Sequence, residues 1–203
     1  MHYCPTSAKA ESATRMKTHV LALATSIPAF NAVASPPPAG DVIRFGNGVT
    51  SVDILGDGSA GLVVTGTRQN FNAHDFDAVS FYVMAATHGD GKAWNVVPAF
   101  NGSDEKLWLP VSGGADCLLH DLRLVRMAGV RYATLVVADR ELGESFDDAA
   151  EVTFTFYDLT KNRDGEPGRP LYYFTKVRVS KASRAYCDVG EALAKEIGLG
   201  PRQ

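Results

Sequence analysis

Short apolar runs alternate with polar or glycine-rich turns along most of the chain after residue 40, a pattern typical of antiparallel β-structure. The predicted strands span Asp41–Phe45, Thr50–Leu55, Gly61–Thr67, Val79–Ala86, Ala93–Val97, Lys106–Val111, Cys117–Arg126, Tyr132–Asp139, Val152–Leu159 and Leu171–Ser180. Turn signals at residues 46–48 and 57–58 predict that the first three strands form a hairpin meander. A turn at residues 162–168 predicts that the last two strands pair.

A helical pattern is clear at Asp188–Ile197, near the C-terminus. Asp188 is a candidate N-cap, Glu191 follows three residues later, and Gly198 ends the segment. The chain is therefore predicted to be mainly β, an antiparallel meander sheet or a sandwich with one C-terminal helix. The pattern leaves meander and sandwich open.

The N-terminal segment has the three parts of a cleavable signal peptide. Basic residues lie beside Met16, the stretch Val20–Phe30 carries no charge, and Ala32–Ala34 is a small-x-small cleavage site. A bilayer span needs about 20 apolar residues, so this stretch is too short to cross. We predict an upstream extension and a cleavable signal peptide at residues 1–34, with the signal starting at Met16. A buried N-terminal helix is the alternative, which Pro28 and the placement of charges disfavour.

The rest of the chain is predicted to hold a Pro-rich linker at residues 35–40 and a single β-rich domain at residues 41–203. The signal predicts a periplasmic or secreted bacterial protein with no membrane span in the mature chain. Residues 1–34 have a net charge of +2, which leaves −5 for the remainder. An acidic domain without a basic patch lacks the electrostatic footprint of nucleic-acid binding, so no nucleic-acid partner is predicted.

Two cysteines, Cys117 and Cys187, remain after the predicted cleavage. Cysteines of exported domains are usually oxidised, so these two are expected to pair. A bond between them would close a loop of about 70 residues, which the chain-entropy model values at roughly 4 kcal/mol. Two unpaired buried thiols are the alternative.

The segment Val52–Gly61 has the glycine-rich spacing of a calcium-binding loop. It offers the carboxylates of Asp53 and Asp57, but Leu55 stands where a third oxygen ligand is expected. Because Ca²⁺ prefers about six to eight oxygen ligands, we favour a structural turn over a calcium site at Asp53 and Asp57.

The densest cluster of polar and aromatic residues is Asn70–Asp77, between two predicted strands at a sheet edge. Loops in such places often carry binding residues. The candidate ligand-binding residues are Asn70, Asn72, His74 and Asp77, with Arg68 as a partner for a carboxylate. The alternative, given equal weight, is a loop whose Asn and Asp side chains cap its own backbone.

The sequence contains no complete catalytic or zinc-binding motif. Ser103 and Lys106 match S-x-x-K, but the predicted strand after them differs from the helix that this chemistry needs. A zinc site would require His74, His88 and His120 to converge in the fold. We therefore predict a protein without catalytic activity or cofactor, with a metal-dependent hydrolase as the alternative.

Several segments together resemble the carbapenem self-resistance (CarG-type) family of exported bacterial proteins. They are, in order, residues 48–53 with 56–58, 70–74 with 80–82, 117–121, 139–146 and 185–189. The resemblance spans most of the chain after the predicted cleavage site. It implies a periplasmic protein that protects against a carbapenem without hydrolysing it, with the β-lactam or a penicillin-binding protein as its partner. A structural envelope protein that binds another protein is a further alternative.

Overall fold

The computed structural model describes residues 40–86, 91–113 and 117–203. The predicted signal peptide, residues 35–39 of the predicted linker and His88 lie outside these described residues. Within them the chain forms twelve strands and one helix: β1 (Gly40–Ile43), β2 (Gly48–Val52), β3 (Gly61–Arg68), β4 (Phe76–Ala86), β5 (Lys92–Val96), β6 (Ala99–Asn101), β7 (Asp104–Lys106), β8 (Leu109–Gly113), β9 (Leu118–Met127), β10 (Thr134–Arg140), β11 (Val152–Lys161), β12 (Tyr172–Lys181) and α1 (Val189–Ile197).

One open sheet holds all twelve described strands, which confirms the predicted mainly β fold with a C-terminal helix. Its order is β2-β3-β4-β8-β9-β10-β11-β12-β6-β7, with β5 added to β4 and β1 added to β9. All of the described strand pairs are antiparallel except β6 with β12, which is parallel. The predicted pairing of the last two long strands, β11 with β12, is confirmed.

Two hydrophobic cores lie on the two faces of the central strands. The sheet curves so that Phe81 of β4 packs against Phe174 of β12, with ring centroids 5.4 Å apart, although four strands separate β4 from β12 in the order. This first core also contains the fully buried Leu122. The second core lies under α1 and includes Phe154 and Leu193. Strands covered on both faces explain the nearly continuous apolar sequence of β10.

The predicted hairpin meander is wrong for the first strand. β2 pairs with β3, but β1 pairs with β9, with Val42 opposite Val125. Ile43 packs against the first core and Val42 against the second. Pairing with the edge strand β2, which is largely exposed, would not bring both side chains against a core, so packing overrides the nearer turn.

The predicted strand Lys106–Val111 corresponds to two strands. β7 ends at Lys106 and β8 begins at Leu109, while Leu107 and Trp108 between them are about half exposed. The short strand β6 was not predicted. Three-residue strands carry too few alternating positions to show a period, which explains both differences.

The predicted helix and both of its caps are confirmed. Asp188 Oδ1 accepts a hydrogen bond from Glu191 N at 3.0 Å, and Gly198 ends the helix with a left-handed φ of 71°. The predicted disulfide is present, and it joins Cys117 before β9 to Cys187 before the N-cap, with the Cα atoms 5.7 Å apart. The start of α1 is therefore held covalently against the start of β9.

Candidate functional site

The predicted recognition segment forms the hairpin loop that joins β3 to β4. Arg68 is the last residue of β3, and β4 begins at Phe76, so Asp77 belongs to a strand. Phe71 has a φ of 58°, in the left-handed region that bulky side chains rarely adopt, and its side chain is 94% exposed. The loop therefore presents an unburied aromatic ring on a constrained backbone.

Hydrogen bonds within the loop hold its shape. Asn70 N donates to Asp75 Oδ1 at 2.6 Å, and Asn70 Nδ2 donates to His74 O at 2.7 Å. Asn72 Oδ1 accepts from His74 N at 2.9 Å. The side chains of Asn70 and Asn72 thus support the loop backbone, as the alternative interpretation predicts, and this fixes the position of the other loop residues.

A cavity of about 670 Å³, the first cavity, lies beside this loop. Its wall comes from β3, the loop, β4, β8, β9, α1 and the C-terminal tail: Thr67, Asn72, Ala73, Asp75, Phe76, Asp77, Val111, Ser112, Gly113, Leu118, Asp121, Arg123, Gly190, Ala194, Pro201, Arg202 and Gln203. Two of the predicted ligand-binding residues, Asn72 and Asp77, are therefore part of its wall. Volumes of roughly 300–1,000 Å³ are typical of small-molecule sites.

The buried part of the first cavity is a network of alternating charges. Arg202 Nη2 donates to Asp77 Oδ2 at 3.0 Å, and Arg202 Nε lies 3.5 Å from Asp121 Oδ1. Arg123 Nη1 donates to Asp121 Oδ2 at 2.6 Å. Asp121, Arg123 and Arg202 are each less than 10% exposed. The two guanidinium groups and two carboxylates offset each other's charge, which makes this wall polar but nearly neutral.

A second cavity of about 450 Å³ adjoins the first and shares Phe76, Ser112 and Gly113 with it. Its described lining residues are His74, Phe76, Ser112, Gly113, Leu119, His120, Arg140, Leu142 and Phe146. A Cβ atom on Gly113 would collide with the carbonyl oxygen of Cys117, so only glycine lets β8 approach the start of β9 this closely. We call the two adjoining cavities the groove.

Polar side chains line up across three strands beside the second cavity. His120 Nδ1 lies 2.8 Å from Asp139 Oδ1, across the β9–β10 pair. Ser112 is opposite His120 in the β8–β9 register. His74 stacks on Phe146 with centroids 4.4 Å apart. Two of the three histidines of the alternative zinc site thus line one cavity, yet no three His, Cys, Asp or Glu residues within the described ranges form a metal-binding group.

Arg140 is a buried part of the second cavity wall, with 3% of its surface exposed. Its Nη1 donates to the carbonyl oxygen of Asp148, and its Nη2 donates to the carbonyl oxygen of Phe146 at 2.7 Å. Its Nε is buried and has no hydrogen-bond partner among the described residues. The guanidinium group therefore orders the loop after β10 through backbone carbonyls.

The remaining predicted site residues lie outside the groove lining. Arg68 stacks on Phe76, with 5.6 Å from its guanidinium carbon to the ring centroid, and its role towards a carboxylate stays a prediction. Asp53 accepts from the backbone N–H groups of Asp57 and Gly58. Asp57 Oδ2 accepts from Arg131 Nη2 at 3.0 Å. Both carboxylates thus accept hydrogen bonds from turn backbone, and each lies near an arginine.

Sequence reasoning missed the charged residues that line the groove from outside the loop. Asp121 and Arg123 carried a signal, because two charges on the face of β9 that otherwise carries Leu119 and Val125 indicate a buried ion pair or a site. Arg140 and Arg202 carried none, since neighbouring sequence does not show what they contact. These residues become recognisable when the strands and the C-terminal tail are brought together.

Comparison with known proteins agrees with this fold. A family model described as "Carbapenem resistance protein CarG-like" matches residues 45–195. The crystal structure of CarG is similar at a TM-score of 0.61 and 28% sequence identity, covering 76% of this chain and 94% of that chain. No curated protein matches the chain.

The family match is consistent with a secreted protein. The one helix within the described ranges is too short to cross a membrane. The matched residues include the β3–β4 loop, all of the strands that line the groove and most of α1. The chain therefore belongs to the CarG-like family of carbapenem resistance proteins.

Proposed function

We propose that this protein is exported to the periplasm and protects against a carbapenem by binding the antibiotic without hydrolysing it. The observation that carries the proposal is the groove beside the β3–β4 loop, within a domain of the CarG-like family. A resistance protein that binds its antibiotic needs a concave site of small-molecule size, and each cavity lies in that range.

The groove combines the features of a small-molecule site. Its walls contain exposed parts of apolar side chains, such as Leu142 and Phe146, next to the buried charged groups of Arg123, Arg140 and Arg202. Apolar surface supplies affinity, while a few fixed polar groups set the orientation of the ligand. The internal hydrogen bonds of the loop reduce the entropy lost on binding.

The test is expression of the full chain in a carbapenem-sensitive bacterium. We expect survival to rise while the drug concentration in the medium stays constant. Replacing His74, whose exposed ring lines the second cavity, by His74→Ala should reduce protection. The control Arg163→Ala changes an exposed residue of the β11–β12 turn outside the groove lining and should leave protection unchanged. Unchanged survival with the wild-type chain would refute the protective role.

Export is tested on the same cells. We expect the protein in the periplasmic fraction, with Ser35 as its first residue by N-terminal sequencing. A chain that lacks residues 1–34 should stay in the cytoplasm and should not protect. Protection by that truncated chain would show that the site of action is not the periplasm.

Two other modes of action are outcomes of a binding experiment. If the purified protein binds a penicillin-binding protein but no carbapenem, protection works by shielding the target. If it binds another envelope protein and survival is unaffected by any β-lactam, the chain is a structural envelope protein. Direct binding of the carbapenem by the purified protein supports the proposal.

A hydrolase is the second candidate, because His74, His120 and Ser112 line one cavity and Asp139 pairs with His120. The imidazole and carboxylate have the arrangement of a general base and its orienting partner. Drug turnover by the purified protein would favour this candidate over the binding proposal. Loss of turnover with a chelator would indicate a metal, whereas loss in Ser112→Ala with no effect of the chelator would indicate acyl transfer.

A further inference from the structure

Arg140 carries a buried positive charge that no described carboxylate neutralises. Its two Nη atoms donate to backbone carbonyls, its Nε has no described partner, and it takes part in no ion pair within residues 40–86, 91–113 and 117–203. Burying a charge without a counter-ion is energetically unfavourable. Contact with this buried guanidinium would therefore stabilise a bound anion more than contact with an exposed arginine would.

The two cavities differ in the charges of their walls. The first cavity has Asp75, Asp77 and Asp121 against two arginines. The described lining of the second cavity contains Arg140 and two histidines but no Asp or Glu. The charged groups of the first cavity therefore largely offset each other, whereas an anionic group in the second cavity would meet a positive charge with no carboxylate in the described lining.

The acidic residues near Arg140 do not cancel this preference. Asp139 Oδ1 lies 2.8 Å from His120 Nδ1, and the Asp139 side chain is 48% exposed, so water screens its charge. Glu141, Glu144, Asp147 and Asp148 are exposed, so water and salt screen their charges. The electrostatic potential inside the second cavity is therefore set mainly by Arg140.

We propose that Arg140 forms an anion subsite in the second cavity and binds the carboxylate of the antibiotic, while Phe76, Leu142 and Phe146 pack against its apolar part. This inference rests on the proposed binding function and names the group that the site recognises. A guanidinium suits a carboxylate because both are planar and several donors lie on one edge. The subsite also assigns a role to the loop after β10, whose carbonyls hold the guanidinium in place.

The experiment compares meropenem, which bears a free carboxylate, with its methyl ester, by titration calorimetry on the mature protein. The ester keeps the shape of the drug but removes the negative charge. We expect the acid to bind at least ~10-fold more tightly than the ester, as a charge-assisted contact implies. Arg140→Gln should abolish this difference.

A second variant keeps the test valid if Arg140→Gln does not fold. Leu142→Glu adds a carboxylate to the cavity wall at a side chain that is 48% exposed. It should weaken binding of the acid by at least ~10-fold through like-charge repulsion and affect the ester less. The matched control is Leu107→Glu, at a leucine 52% exposed that lies outside the second cavity lining, and it should change neither affinity.

Failure of the subsite and failure of the proposed function give different results. Equal affinity for acid and ester, unaffected by Leu142→Glu, would overturn the subsite and leave carbapenem binding intact. Protection of cells without binding of either compound would overturn the subsite and point to a target-shielding mode. No protection and no binding would overturn both.

Discussion

Loss of the Cys117–Cys187 disulfide should destabilise the domain by about 4 kcal/mol. The two cysteines are 70 residues apart in sequence, and the chain-entropy model gives roughly 4 kcal/mol for a closed loop of that length. Domains are typically stable by about 5–15 kcal/mol. Removing the bond therefore takes away a large part of the expected stability.

Removing the disulfide should lower stability mainly by raising the conformational entropy of the unfolded chain. Without the disulfide, Val189, Ala192 and Leu193 of α1 still pack in the second core. Asp188 Oδ2 still accepts a hydrogen bond from Leu118 N at 3.0 Å, across the same junction. The folded structure should therefore persist, with a melting temperature lower by roughly 8–16 °C, from about 2–4 °C per kcal/mol for a domain of this size.

The assay is urea unfolding of the mature protein, with tryptophan fluorescence as the signal that monitors the transition. Oxidised wild type is compared with reduced wild type and with the double variant Cys117→Ser/Cys187→Ser. We expect the reduced protein and the double variant to unfold at the same, lower urea concentration. A difference below about 1 kcal/mol between oxidised and reduced protein would refute the reasoning, since the entropic effect would then be absent or cancelled.

Three further predictions concern packing, buried charge and pH. Leu193→Ala removes a fully buried side chain of the second core and should cost about 2–5 kcal/mol of unfolding free energy in urea titration. Asp121→Asn leaves two buried arginines without their shared carboxylate and should cost about 3–5 kcal/mol; a cost near zero would show that the arginines find other partners. Hydrogen bonds from the Tyr186 hydroxyl and, to a smaller extent, from Ser183 hold the pKa of the Glu196 carboxyl below its usual value of 4.5. The carboxylate stabilises the fold above that pH and loses this contribution as pH falls through its lower folded pKa, so Glu196→Gln should show a shallower loss of stability in acid.

Local sequence determined the elements that depend on neighbouring residues. Short apolar runs bounded by turn residues predicted β3, β11 and β12, because strand-forming residues and turn residues act over only a few positions of the chain. Asp188 and Gly198 marked the ends of α1, since each satisfies helix groups only three to five residues away. The hairpin loop at residues 70–75 was likewise recognisable from its polar composition.

Tertiary structure decided which of these elements meet. β1 pairs with β9 and not with its sequence neighbour β2, because beside β9 the partly buried Val42 and Ile43 pack against the two cores. Arg202 reaches Asp77 across 125 residues of chain, and Arg140 enters the wall of a cavity whose other side is the loop containing His74. Local patterns record which face of an element is apolar, whereas the partner of a buried charge depends on how the whole sheet curves. The sequence therefore predicted the loop at the groove, and the fold supplied the arginines that give the groove its chemistry.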